Sequence, residues 1–289
     1  METRVAVVGH IEWVEFVRGD HVPRAGEIVH ASESFEEPAG GGAVAAVQLA
    51  RLAGSADLFA ALGGDEEADG ARQRLAELGV AVRAAARPAP TRRAHVFLDA
   101  SGERTITTIG ERLEPRGSDE LGWGDLEGCD GAYVTAADPD ALRAARKARV
   151  LVASPRTGTP LAEAGVKLDA LVFSDADELE RGFAGELRPR PDLLVATHGG
   201  AGGRYETVDG RSGNWAAAEP PGPVADAYGA GDSFAGALTY GLAVGQGPDA
   251  ALELAARAGA ACMTGHGPYE GQLRLGFRPS PPPGRGSPR

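Results

Sequence analysis

Asp226-Ala227-Tyr228-Gly229-Ala230-Gly231-Asp232, followed at once by Ser233-Phe234-Ala235-Gly236-Ala237-Leu238, is the stretch on which the reading of this chain turns. Small residues let a backbone come close to a ligand, and the apolar run after them begins a helix. The N–H groups of a first helical turn have no partner inside the helix. The helix dipole adds partial positive charge at the same place, so an anion is favoured there. Asp232 sets a carboxylate at the mouth of that site. A Gly-Ala-Gly nest beside a carboxylate suits phosphoryl transfer to an alcohol, because the nest stabilises developing negative charge while the carboxylate takes the hydroxyl proton. Gly229, Ala230 and Gly231 are therefore the candidate anion hole, and Asp232 the candidate general base. With 42 glycines in 289 residues, and Asp-Ser an ordinary helix start, the rest of the chain has to agree.

It does so in its order of segments. Val5–Val8 is a short apolar run ending at Gly9, as expected of a strand buried on both faces. Residues 40–52 read as a small-residue helix, 58–62 as a strand, and 68–78 as a helix stopped by Gly79. Further strands are expected at 132–135, 150–152, 170–173 and 193–197, with a helix over 139–148. Such alternation implies an α/β fold with a mostly parallel central sheet and helices on both faces. Two polar β-rich excursions interrupt it, at about 11–37 and 91–112. The first, with alternating Ile28-Val29-His30-Ala31, reads as half-exposed antiparallel strands. The second reads as a hairpin turning at 99–102. Together they predict a small β lid on one domain of residues 1–275. The Pro-rich tail 276–289 is expected to be disordered.

Composition narrows the function. A formal charge of −12 leaves no basic surplus to neutralise nucleic-acid phosphates. No apolar run approaches membrane-spanning length, and the N-terminus has no signal-peptide pattern, so a cytoplasmic protein is expected with no membrane partner. The two cysteines, Cys129 and Cys262, are far apart and outside any paired-ligand motif, which fits buried thiols. No Gly-Lys pair occurs, so a P-loop is excluded. No Gly-x-Gly-x-x-Gly follows the first strand, which speaks against a dinucleotide oxidoreductase.

Over roughly residues 4–275 the chain resembles the ribokinase-like (PfkB) family of carbohydrate kinases. Asp226–Asp232 is similar to the family's C-terminal signature. Gly40-Gly41-Gly42, opening a helix that ends in Leu52-Ala53-Gly54, is similar to its N-terminal glycine motif. Thr197-His198-Gly199-Gly200-Ala201-Gly202 is similar to its Thr-x-Gly-x-x-Gly nucleotide loop. The resemblance implies ATP as co-substrate and a sugar, sugar-phosphate or nucleoside hydroxyl as acceptor, with Asp232 as base and Gly229–Gly231 as anion hole. It implies Thr197, Gly199, Gly202 and Gly231 at the nucleotide, and Glu12, Gly41, Gly42 and Asp232 at the acceptor. Asp175 and Glu178 stand where the family's Asn-x-x-Glu motif handles Mg²⁺. Asp226 and Gly267 lie in the region of a monovalent-cation site, so K⁺ is a further candidate. A homodimer through the lid is also implied.

The pattern departs from the family's ribose-specific members. Glu12 and Val14 stand where Asn and Asp hold sugar hydroxyls, Gly42 and Ala45 replace Lys and Asn, and Ala137 replaces an acidic residue. A missing hydrogen bond in a buried site costs about 1–3 kcal/mol, so ribose is disfavoured. Trp13 and Phe16 suggest an aromatic acceptor, or else a lid-to-lid contact. Arg92, Arg93, Arg104 and Arg112 lie on or beside the second lid segment and could face a phosphate or carboxylate; Arg104 and Arg112 join the candidate acceptor residues. The altered site also leaves open a catalytically quiet ligand or nucleotide sensor on the kinase fold.

Overall fold

The computed structural model describes residues 3–100 and 102–275. The Pro-rich tail, 276–289, lies outside the described residues. β1 (Val5–Val8) sits between two parallel neighbours, β4 (Ala56–Leu62) and β8 (Gly131–Val134). β5 (Val80–Ala86) extends the sheet beyond β4. On the other side it runs through β9 (Val150–Ala153), β10 (Ala170–Ser174) and β11 (Leu193–Thr197). Two antiparallel strands, β12 (Gly203–Thr207) and β13 (Ser212–Trp215), complete a nine-stranded sheet of order β13-β12-β11-β10-β9-β8-β1-β4-β5.

Strand periodicity feeds two cores. Val5 and Val7 join one cluster and Ala6 and Val8 the other, as alternate residues of a strand must. The first core is covered by α1 (Gly41–Ala53), α2 (Glu66–Glu77), α6 (Ala230–Ala243) and α7 (Pro248–Cys262). The second is covered by α3 (Pro139–Ala145), α4 (Thr159–Ala164) and α5 (Glu178–Glu186). The Ala- and Gly-rich sequence of α1 and α6 lets their backbones nearly touch: a Cβ on Gly236 would lie 2.9 Å from the Ala45 carbonyl oxygen. Gln272, near the end of the described chain, pins this pair. Its buried side-chain amide donates to the Val44 carbonyl (2.9 Å) and to Ser233 Oγ (3.1 Å). No helix among the described residues is long and apolar enough to cross a membrane.

The lid is a second sheet, of order β3-β2-β6-β7, built from β2 (Glu12–Arg18), β3 (Glu33–Ala39), β6 (Arg93–Leu98) and β7 (Arg104–Ile109). Its centre departs from the sequence expectation, because β2 and β6 pair in parallel. The alternation at Ile28–Ala31 forms no strand either. That segment follows the Pro23 and Gly26 turn with no ladder partner, Ile28 is 86% exposed, and β3 begins only at Glu33. Glu12, Val14 and Phe16 share the buried face of β2. Phe16 stacks on Phe35 and meets Tyr228 edge-on, while Trp13 points the other way onto Gly70 of α2. Neither aromatic lines the cleft described next, so both are packing residues of the lid base rather than an acceptor platform. The lid is also less half-exposed than expected, since Val14 and Phe16 are fully buried.

Candidate active site

The carboxyl ends of β1, β8, β9, β10 and β11 open into a cleft of about 330 Å³, roofed by the lid residues Arg104, Ile106 and Thr108. Open parallel sheets place ligands at this edge. Gly229 is the N-cap of α6 and adopts φ +79°, a left-handed conformation that glycine alone takes without strain. No side chain caps this helix, and Ser233 N–H, donating to the Gly229 carbonyl, begins its hydrogen bonding. The N–H groups of residues 230–232 therefore remain for a ligand. Gly229, Gly231 and Asp232 line the cleft, with Ala230 between them in the same turn.

Asp232 sits at the cleft floor against α1. A Cβ on Gly41 would lie 2.9 Å from Asp232 Oδ1 and 3.2 Å from Thr135 Oγ1, so glycine is what leaves room for the carboxylate. Gly42 is as constrained: its Cβ would come within 2.6 Å of the His10 carbonyl oxygen, which leaves no space for the lysine of the ribose-specific pattern. Burial raises the Asp232 pKa above the ordinary carboxylate value, and the charges of Arg156 and Arg104 pull it back down. Arg156, in the 3₁₀ turn Pro155–Thr157 just after β9, is held more firmly protonated by Asp232 and Glu180. Its Nε donates to Glu180 Oε1 at 3.3 Å, and Glu180 Oε2 accepts the Ser174 N–H at 2.9 Å. Tyr133, its hydroxyl directed toward Ser154 and Thr135, is pushed up to about 12, chiefly by burial. Ser154 and Tyr133 also line the cleft.

The wall facing the lid is polar and enclosed. His10 Nε2 accepts the Gly41 N–H at 3.2 Å, which assigns the ring proton to Nδ1, and that nitrogen is buried without a hydrogen-bond partner among the described residues. Burial, with Arg112, Arg156 and Arg92 nearby, lowers the His10 pKa to about 3, so the ring is neutral. Glu12 pairs with Arg92 (3.2 Å), yet burial leaves its pKa raised. Arg112 is held by Glu114 at 2.6 Å and donates to the Arg156 carbonyl. Arg104 completes this wall, whereas Arg93 points to the opposite face of the lid, 3.9 Å from Glu67. Tyr228 Oη accepts the Gly40 N–H and ties the signature loop to the glycine motif.

Among the expected nucleotide residues, Thr197 lines the cleft at the end of β11, and Gly199 and Gly202 form the turn beyond it with φ of +57° and +84°. The Asp175–Glu178 pair is not brought together at the cleft. Asp175 is clamped by Arg204 (3.1 Å) and His198 (3.2 Å), and although burial opposes it, Arg204 leads in lowering its pKa. Glu178 has a side chain 89% exposed and turns outward to Arg181. Glu180, two residues on and so about 200° round the helix, is the carboxylate that enters the cleft. No group of three or more His, Cys, Asp or Glu among the described residues could hold a metal ion by itself. Behind the anion hole, Asp226 is fully buried. Its Oδ1 accepts the Tyr228 N–H at 2.7 Å, the Gly267 backbone N–H approaches the carboxylate, and Oδ2 has no hydrogen-bond partner of good geometry among the described residues.

The model of the pfkB family carbohydrate kinases matches residues 2–274. The chain belongs to the pfkB family. No curated protein matches the sequence. Among solved structures, this pfkB-family chain is similar to ribokinase from Thermotoga maritima (19% identity, TM-score 0.75, covering 94% of this chain and 96% of that one). It is similar too to Arabidopsis thaliana ribokinase complexed with ribose and ATP (18%, TM-score 0.75, 95% and 96%). A nucleoside kinase from Methanocaldococcus jannaschii is a third (17%, TM-score 0.70, 95% and 95%). At these identities the likeness is one of fold, and it covers both the large sheet and the lid.

Proposed function

We propose that this chain transfers the γ-phosphate of ATP to a hydroxyl of a small sugar-like or nucleoside-like acceptor. The observation that carries this is the carboxylate of Asp232, enclosed beside the unpartnered N–H groups of the first turn of α6. The acceptor hydroxyl donates to Asp232. As its oxygen bonds to the γ-phosphorus, the bond to the β–γ bridging oxygen breaks, ADP leaves with that electron pair, and the proton passes to Asp232. A raised pKa makes Asp232 a better proton acceptor than an exposed aspartate. The 229–231 loop and Arg156 offset negative charge on the transferred group, and Thr197, Gly199 and Gly202 face the nucleotide.

Mg²⁺ fits as an ion carried largely by nucleotide phosphates and water, with Glu180 as the cleft carboxylate facing it. It would neutralise phosphate charge. The buried carboxylate of Asp226, whose Oδ2 lacks a hydrogen-bond partner of good geometry among the described residues, fits a monovalent cation such as K⁺. Ribose is disfavoured as acceptor: Val14 and Ala137 are buried apolar groups, and Gly42 has no room for a side chain. A homodimer through the exposed lid and a cytoplasmic location belong to the same proposal.

The test is ADP release from Mg-ATP against sugars, sugar phosphates and nucleosides. Asp232→Asn is expected to keep ATP binding while losing about 10²–10⁴-fold in acceptor-stimulated turnover. Normal turnover in that variant would remove Asp232 from the reaction. ATP binding with no stimulation by any acceptor would favour a catalytically quiet sensor.

A further inference from the structure

We propose that the acceptor is itself an anion, its terminal phosphate or carboxylate held by the lid-side arginines Arg92, Arg104 and Arg112 while its hydroxyl reaches Asp232. This rests on the phosphotransferase reading above. Four guanidinium groups line the cleft against three carboxylates, Glu12, Glu180 and Asp232. Arg156 is committed to the Asp232 and Glu180 end, where the transferred phosphoryl group would lie. The other three arginines come from the lid and its margins and have no such assignment.

Their hydrogen bonding is incomplete in a way that points to a missing oxyanion. Arg92 reaches Glu12 through Nη1, but its Nε is buried with no partner among the described residues. His10, only 7% exposed, lines the same cleft, and its buried Nδ1 has no partner among the described residues. Two buried donors without acceptors are costly, and like charges gathered at one wall repel one another. An oxyanion with several lone pairs relieves both. Arg112 is already oriented by Glu114 and the Arg156 carbonyl. Arg104 lines the cleft already, and its one ion pair among the described residues, to Glu103 at 3.8 Å, leaves its planar fork for an oxyanion. A neutral polyol needs acceptors as much as donors. On this wall the sole lining carboxylate, Glu12, is already taken by Arg92.

The experiment compares matched acceptors at equal ionic strength: fructose 6-phosphate with fructose, ribose 5-phosphate with ribose, and gluconate with glucose. Wild type, Arg104→Gln and Arg112→Gln are compared, with Arg93→Gln, on the far face of the lid, as control. Steady-state ADP release should favour an anionic member over its neutral parent by about tenfold or more in kcat/KM. Each cleft variant should erode that preference about tenfold, mainly through KM, and the control should keep it. Preference for the phosphates or for gluconate tells the two oxyanions apart. Neutral parents used equally well or better would overturn the inference while leaving the kinase intact. Thermal shift without ATP separates the two claims. Stabilisation by an anion but not its neutral parent, lost in Arg112→Gln, supports the inference even if no acceptor is turned over. Equal shifts for both members, or shifts indifferent to the arginine variants, overturn it.

Discussion

Adding one methyl group at Gly41 should separate activity from stability. In Gly41→Ala the new Cβ would lie 2.9 Å from Asp232 Oδ1, 3.2 Å from Thr135 Oγ1 and 3.4 Å from His10 Cε1. The nearest atom is the tip of a side chain, so the fold can accommodate the methyl if the carboxylate retreats by a few tenths of an ångström. Gly41 is the first residue of α1, where alanine is favoured over glycine by at most about 1 kcal/mol. Stability should therefore be unchanged or slightly raised, by no more than about 4 °C in Tm for a chain of this size. Catalysis is less tolerant, since a misplacement of about 1 Å can cost about 10² in rate, and the methyl also occupies space needed by the acceptor hydroxyl. A fall of about 10- to 100-fold in kcat/KM is expected, read by coupled ADP release beside thermal unfolding followed by circular dichroism. A variant within about twofold of wild type would refute the placement of Asp232 against α1. A Tm lower by more than about 5 °C would mean that the methyl strains the backbone instead.

Arg156→Gln removes the leading charge that lowers the Asp232 pKa, so the acid limb of the kcat/KM profile should move to higher pH, with a loss of about 10² or more in rate. A limb that stays put or moves down would contradict the coupling. His10 has its folded pKa depressed to about 3, below its unfolded value of about 6.5, so the unfolded chain takes up a proton that the folded protein refuses. Stability from this residue is full above about pH 6.5 and falls as pH drops toward 3; His10→Asn should flatten that part of a denaturation-versus-pH curve. Replacing tetramethylammonium by K⁺ at constant ionic strength should raise Tm, by about 1.4 kcal/mol in equivalent stability at ten times Kd, and Asp226→Asn should abolish the effect.

Buried strands and the three glycine motifs were legible because their signals are local. Val5–Val8 and Leu193–Thr197 are apolar runs covered on both faces, and Gly40–Gly42 and Gly229–Gly231 stand at helix starts that border the cleft, with Gly42 packed against the His10 backbone. β5 leaves little strand signal because its Ala-rich, half-buried sequence carries neither alternation nor β-branched density. β12 and β13 are polar edge strands defined mainly by their partners. The lid's parallel centre was illegible because β2 and β6 meet only after β3, α1, β4, α2 and β5 intervene. Trp13 and Phe16 misled because residues three apart on a strand point to opposite faces. Glu178 matched by spacing, while helix phase brings Glu180 inward. Arg156 did leave a signal, a polar Ser-Pro-Arg-Thr turn directly after a buried strand, at the sheet edge where ligands gather.

Gln272 gives the fold a direction in time. During synthesis His10, Gly41, Thr135, Arg156, Glu180 and Asp232 all leave the ribosome before the one side chain that binds the Val44 carbonyl of α1 to Ser233 of α6. The floor of the cleft is thus fastened last, by a residue that takes no part in the chemistry. A nascent chain halted at residue 265 would carry every one of those cleft groups and would still lack that fastening, seven amino acids further on.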